Sequence, residues 1–199
     1  RLLLTGIAAI MIGLGVILLF AYNWSEMGKF SKLAVIFMAL IGVHLLAFYL
    51  RPRHHIYSES LFALGTMLMG SGIFLVAQIY HMDSHYPNAF LFWSLGALAL
   101  AWALPSLTQS FMAVALVVGW HVFEIFDFHF ANYSAFFIIL LGVLPLVWRL
   151  QSPVLARFTS IGLFLSLALS ISVSDEDLVV MTLLLSLIHI SEPTRLRRI

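Results

Sequence analysis

The residues of this 199-residue chain best suited to chemistry are histidines and acids that follow two of its apolar runs. His81, Asp83 and His85 place two imidazoles and one carboxylate at every second position, directly after the third run. Imidazole and carboxylate groups are ligands that Zn²⁺ and similar ions take from proteins. The segment therefore supplies three candidate ligands for a divalent metal ion.

A second group of the same residue types lies near the end of the fifth apolar run. His121 and Glu124 are three positions apart and so share one face of a predicted helix, and Asp127 and His129 follow them. The predicted metal site combines both groups and consists of His81, Asp83, His85, Glu124 and His129. The alternative is that these side chains bind water and cap the ends of helices.

One further histidine, His44, lies near the middle of the second apolar run. A polar side chain inside a bilayer is costly unless it has a partner, and it often marks a path for protons or solutes. His44 and Glu124 are therefore the candidate residues of such a path. The alternative for His44 is a structural hydrogen bond to a neighbouring helix, with Thr66 or Gln78 as the partner.

Other catalytic signatures are missing from the sequence. The chain contains no cysteine, which excludes disulfides, thiolate metal sites and cysteine nucleophiles. It also contains no HExxH motif, no Walker motif and no serine nucleophile elbow. We therefore predict no catalytic residues and no cofactor beyond the divalent metal considered above.

The elements that must position these side chains are apolar helices. Hydrophobic residues make up 62% of the chain and charged residues 10%, against about 25% charged residues in soluble domains. The seven apolar runs are 3–22, 33–50, 61–80, 89–104, 112–126, 135–148 and 158–173, and Glu124 is the one charged residue within them. They are longer than the roughly 10-residue strands of membrane barrels and apolar on all sides. The expected fold is an all-α, polytopic transmembrane helix bundle with seven spans and the start of an eighth at Leu178.

Charges in alternate loops predict how this bundle lies in the membrane. The acids collect in the opposite loops, where Lys29 and Lys32 are the cations. Since cytoplasmic loops carry an excess of basic residues, we expect the N-terminal end of the fragment and the arginine loops to be cytoplasmic. The arginines concerned are Arg1, Arg51, Arg53, Arg149 and Arg157.

Three segments of the chain resemble a known family. They are GLGVILLFAYNW at 13–24, GSGIFLVAQIYHMD at 70–83, and Trp93 followed three positions later by Gly96. Together they resemble the uncharacterised bacterial membrane family known as domain of unknown function 2157, over about residues 2–105. The resemblance implies a multi-helix protein of the bacterial inner membrane. It implies no reaction, ligand or partner.

Both ends of the sequence indicate a fragment. The chain begins with Arg1 and is apolar from the next residue, which predicts that the natural N-terminus lies further upstream. Residues 185–195 read LSLIHISEPTR, which resembles the translation of a sequencing-library adapter. The expected organisation is therefore one multi-span membrane domain over 1–184, truncated at both ends, and an adapter-derived tail over 185–199.

Three classes of function remain open. First comes an integral membrane protein of structural, assembly or sensory type, whose partners are the lipid bilayer, other membrane proteins or a second copy of itself. The second class is a transporter of small solutes or ions. The sequence similarity between 13–18 and 70–75 suggests an internal repeat, which transporters often have. Third comes a metal-dependent membrane enzyme. A nucleic-acid partner is not expected, since the net charge is +1 and the body has no basic run with interleaved aromatics.

Overall fold

The computed structural model describes residues 26–82, 85–129 and 132–173, and within these ranges it contains helices and no strand. The helices are α1 Lys29–Leu50, α2 His55–Tyr80, α3 Pro87–Ala103, α4 Leu107–Phe128, α5 Ser134–Leu150 and α6 Pro153–Val173. This confirms the all-α prediction for the described part of the chain. The first apolar run, Asp83, the start of the eighth run and the 185–199 tail lie outside the described residues.

The helices correspond to six of the predicted apolar runs, but they begin earlier. Helix α4, for example, begins at Leu107 rather than at 112. Ser106 caps it, because its Oγ accepts a hydrogen bond of 3.2 Å from the Gln109 backbone N–H. The first turn of α4 is polar, with Gln109 and Ser110 both buried, so a search for uncharged apolar runs misses it.

Four of the described helices are long and apolar enough to cross a bilayer, namely α1, α2, α4 and α6. The other two, α3 and α5, are also apolar but shorter, with 17 residues each. The described residues therefore support a membrane protein with four spans. They do not support the predicted count of seven.

Contacts between helix ends show that successive helices alternate in direction. Arg51 donates a hydrogen bond of 2.7 Å to the Leu104 carbonyl, and Arg149 donates one of 3.3 Å to the Trp102 carbonyl. We call this end of the bundle, where Arg51 and Arg149 lie, the arginine end. At the opposite end, the Lys29 ammonium lies 5.6 Å from the centre of the Tyr80 ring. We call that end, which also carries Glu124 and Asp127, the acidic end.

Helix α4 is the central helix of the described bundle. It packs against α2, α3, α5 and α6. The core around it is built mainly from small and β-branched side chains, which allow close helix packing. Its buried members are Val114, Val117, Trp120, Ala135, Ile139 and Val143.

Helix α5 is interrupted by one π-helical segment, Ile139–Val143. The Leu144 N–H bonds to the Ile139 carbonyl, five residues back, and Pro145 follows without an N–H of its own. The Gly142 carbonyl accepts a hydrogen bond of 2.9 Å from the Trp102 indole. A neighbouring helix thus supplies a donor to the interrupted backbone, as a bilayer requires.

Candidate functional site

The most strongly bonded acidic side chain in the described structure is Glu124, which is 4% exposed in the last turns of α4. The His85 Nε2 lies 2.7 and 2.8 Å from its two carboxylate oxygens. The Trp120 indole donates a third hydrogen bond, of 2.9 Å, to Oε1. An ionised carboxylate only accepts hydrogen bonds, and for that state of Glu124 the His85 Nε2 is the donor to both oxygens. Charge-assisted bonds of this kind are the strong ones in proteins.

Local structure explains why these three side chains meet. Trp120 precedes Glu124 by four residues and so lies on the same face of α4. His85 stands in the connection between α2 and α3, two residues before Pro87, the first residue of α3. Proline fits this position because its missing N–H has no partner in the first turn. The His85 ring also packs on Phe128, with 3.9 Å between ring centres.

The His85–Glu124 pair borders an open cleft of about 540 Å³ at the acidic end. The side chain of His85 is 34% exposed, so the pair is accessible from the cleft although Glu124 itself is buried. We call this space the Glu124 cleft. Its walls are His85, Asn88, Trp120, Glu124, Phe128, Asn132 and Ser134.

The chemistry of the Glu124 cleft favours a ligand with hydrogen-bond donors or a positive charge. Glu124 is the one acid among the lining residues, and Trp120 and Phe128 present aromatic rings that attract cations. Asn88 and Asn132 add neutral donors and acceptors. Within the part of the chain that the structure describes, the lining contains no lysine or arginine that would hold an anion.

Two of the predicted metal ligands instead end helices. His81 follows α2 and His129 follows α4, and both have a left-handed backbone with φ 52°. A residue in this conformation commonly terminates a helix, and histidine tolerates it better than bulky or β-branched residues do. Both side chains are exposed. The backbone of His81 and His129 thus ends these helices, and the role of both side chains as metal ligands stays a prediction.

Of the five predicted metal ligands, the structure brings His85 and Glu124 together. Within 26–82, 85–129 and 132–173 no three histidine, aspartate or glutamate side chains converge on a metal position. Asp83 lies outside the described residues. The five-residue metal site therefore stays a prediction.

His121, which the sequence grouped with Glu124, faces a different helix. Its Nε2 lies 3.0 Å from the Ser166 carbonyl and 3.0 Å from the Ser170 Oγ, both on α6. Ser170 in turn donates a hydrogen bond of 2.8 Å to the Asn132 carbonyl. His121 is buried, and these bonds tie α4 to α6 rather than serving the cleft.

His44 does not have the interhelical partner that we expected. Its Nδ1 lies 2.8 Å from the Leu40 carbonyl of its own helix, and its ring packs against Gly65 of α2. His44 thus bonds within α1 rather than to Thr66 or Gln78, and the small surface of Gly65 lets its ring pack against α2. His44 lies toward the arginine end of α1, whereas Glu124 lies at the acidic end, and the proton or solute path joining them stays a prediction.

A buried polar cluster between α2, α3 and α4 was missed by sequence reasoning. The Thr66 hydroxyl bonds to the Phe62 carbonyl at 3.0 Å and to the Gln109 Oε1 at 2.8 Å. The Trp93 indole donates a bond of 2.6 Å to the Thr66 carbonyl. None of these residues is charged, and their separation along the chain hides the contact, so no local pattern could have found it.

The comparisons with known proteins identify a family but no activity. A family model described as a predicted membrane protein, DUF2157, matches residues 1–110. The match agrees with the resemblance seen over 2–105 and includes α1, α2, α3 and His85, whereas Glu124 lies beyond it. No curated protein and no solved structure matches the chain.

Proposed function

The chain belongs to the DUF2157 family of predicted membrane proteins, and we propose that it is a seven-span protein of the bacterial inner membrane that binds a ligand in the Glu124 cleft. The role would be of the sensory or assembly type, in which an occupied cleft changes how the bundle meets its partners. The partners would be other membrane proteins or a second copy of this chain. The observation that carries the proposal is the buried, bonded carboxylate beside an open cleft.

The seven-span arrangement rests on the two shorter helices. Helix α3 has 17 residues, which at 1.5 Å per residue extend about 26 Å. Spans of about 17–25 residues cross bilayers with a hydrocarbon core of about 30 Å. With α3 and α5 counted as spans, the described helices supply six, and the apolar run 3–22 supplies the seventh.

The orientation follows from the arginine end, which we propose faces the cytoplasm. The absence of cysteine allows single-cysteine reporters to be introduced at exposed positions. Arg53→Cys lies at the arginine end and Met82→Cys at the acidic end, and both positions are exposed. We expect an impermeant maleimide to label Met82→Cys from the periplasmic side and Arg53→Cys only after the inner membrane is opened. The reverse pattern would contradict the orientation.

The proposed binding role rests on the energetic cost of burying the Glu124 carboxylate. A carboxylate held away from water is unfavourable unless it is paired and hydrogen-bonded, and ionisable residues within membrane helices commonly mark functional sites. Here the partner, His85, remains one-third exposed to the cleft. A ligand can therefore add to the pair without first breaking the bundle.

The test uses the full chain purified in detergent and a pair of small soluble probes, ethylammonium and acetate. We expect ethylammonium to raise the unfolding temperature, because a ligand that binds the native state stabilises it in proportion to its occupancy. Glu124→Gln should abolish the shift. Asp127→Asn, at an exposed acid of the same end, is the matched control and should retain it, since an amide oxygen can still accept the hydrogen bond from the Tyr86 hydroxyl. A larger shift with acetate than with ethylammonium would overturn the proposal.

A transporter is the second candidate, and the interruption of α5 is the observation that favours it. Transporters place broken helices around their binding sites, and the π segment Ile139–Val143 breaks α5 near its middle. In sealed proteoliposomes, a transporter would use an imposed proton gradient to accumulate labelled ethylammonium inside the vesicles. Binding in detergent without uptake would support the sensory or assembly role instead.

A divalent metal remains a third proposal for the same end of the bundle. Metal analysis of the purified chain beside a His81→Ala, Asp83→Ala variant tests the predicted ligand set. Stoichiometric metal that is lost in the variant would support it. Metal lost in Glu124→Gln but retained in that variant would restrict the site to the cleft.

A further inference from the structure

A second, apolar space adjoins the Glu124 cleft. It is a groove of about 520 Å³ between α1, α2 and α3. Ile36 and Leu40 of α1, Met69 and Ala77 of α2, and Phe92 of α3 form much of its wall. We call this space the apolar groove. It is suited to a hydrocarbon chain, since few polar atoms line it.

The length of the apolar groove matches the depth of one leaflet. Its wall on α2 extends from Leu68 to Ala77, nine residues later, which is about 14 Å along the axis. Half of a bilayer's hydrocarbon core is about 15 Å thick. A lipid chain with its headgroup at the acidic end would therefore lie along the groove.

The groove and the cleft share two wall residues, His85 and Asn88. His85 thus has the apolar groove on one side and the Glu124 carboxylate on the other. A single occupant of both spaces must be amphipathic, with an apolar chain and a polar end. The polar end must suit a carboxylate, because among the described residues no lysine or arginine lines either space.

We propose that the apolar groove and the Glu124 cleft together bind a lipid with a primary ammonium headgroup. The acyl chain lies in the groove, and the ammonium lies beside Glu124 and the rings of Trp120 and Phe128. The inference rests on the proposed binding role of the cleft and names the ligand class for it.

The experiment compares two lipids that share the same phosphate and acyl chains, phosphatidylethanolamine and phosphatidylglycerol. The full chain is released from nanodiscs containing equal amounts of both, and retained lipid is measured by native mass spectrometry. We expect the ethanolamine lipid to be retained at least about tenfold more than the glycerol lipid, as one charge-assisted hydrogen bond predicts. Equal retention by the unaltered protein would overturn the proposal, and this comparison needs no variant to fold.

Two variants test the headgroup contact and the acyl-chain contact separately. Glu124→Gln should remove the preference for the ethanolamine lipid. Ala77→Trp should fill the groove and reduce retention of both lipids, whereas Ala99→Trp, on the exposed side of α3 and outside the groove wall, should not. Unchanged retention in Ala77→Trp would overturn the assignment of the groove.

The outcomes also distinguish this inference from the proposed function. Binding of ethylammonium without any lipid preference would leave the cleft as a binding site and refute the lipid. Loss of both the ethylammonium binding and the lipid preference would refute the binding role of the cleft as well as the lipid ligand. Crosslinking of a photoreactive group at position 77 to the chain's own run 3–22, rather than to lipid, would show that another segment occupies the groove.

Discussion

Replacing Gly70 with alanine tests the packing of α2 against α3. A Cβ at this position would lie 2.3–2.5 Å from three atoms of the Trp93 ring. The ring is held by its hydrogen bond of 2.6 Å to the Thr66 carbonyl, so it cannot move without weakening that bond. Overpacking costs about 1–3 kcal/mol, and an interhelical hydrogen bond in a membrane is worth about 0.6 kcal/mol. Alanine's better helix propensity offsets about 1 kcal/mol of this cost, so we expect Gly70→Ala to lower the free energy of unfolding by about 0.5–2.5 kcal/mol.

The assay is unfolding of the purified chain by sodium dodecyl sulfate in mixed micelles, followed by circular dichroism. Gly119→Ala on α4 is the matched control, because a Cβ there would meet no atom within 4 Å. Alanine forms helix better than glycine by about 1 kcal/mol, so this control should be neutral or more stable. The double variant Gly70→Ala, Trp93→Phe should recover part of the loss, since a smaller ring leaves room. Equal stability of the two single variants would refute the contact between Gly70 and Trp93.

Four further substitutions are measured in the same assay. Thr159→Val should raise the free energy of unfolding by about 1 kcal/mol, because the Thr159 hydroxyl is buried without a hydrogen-bond partner among the described residues. The same change at Thr66 should lower it by about 1–2 kcal/mol, since it removes the bond to Gln109; equal signs at both positions would contradict the assignment of their partners. Glu124→Gln should cost about 1.5–3 kcal/mol because it weakens charge-assisted bonds, whereas Asp127→Asn at an exposed position should change stability by less than about 0.5 kcal/mol. A larger effect at Asp127 than at Glu124 would refute the account of the cleft.

The helices themselves follow from composition. In a bilayer every backbone N–H and C=O must be bonded within the protein, so long apolar runs form helices whatever their detailed sequence. The residues at which the helices begin depend on capping and tertiary contacts rather than on composition. Ser106 caps α4 before a polar first turn, and the buried Gln109 in that turn is accommodated by Thr66 of another helix. Such a partner is invisible in a hydropathy pattern, which explains why α4 begins before its apolar run.

The candidate site was predicted in its residue types but not in its grouping. His81 ends α2, whereas His85 lies four positions later in the connection to α3, and of these two histidines His85 is the one that contacts Glu124. The contact between His85 and Glu124 joins residues 39 positions apart and depends on how α3 packs against α4. Local spacing carries no information about that packing. The contact between Trp120 and Glu124 could have been predicted from the sequence, because Trp120 precedes Glu124 by four residues on the same helix face.

Spacing on a helix also explains why His121 and Glu124 serve different neighbours. At about 100° per residue, positions three apart differ by about 60° around the axis, and positions four apart by about 40°. On a helix with one buried face, both separations keep two side chains in the same environment. Helix α4 is packed by neighbours on several sides, so 60° turns His121 toward α6 while Glu124 faces the cleft beside α3. The rule that such pairs share a face therefore fails on a central helix, where the neighbouring helices decide what each side chain meets.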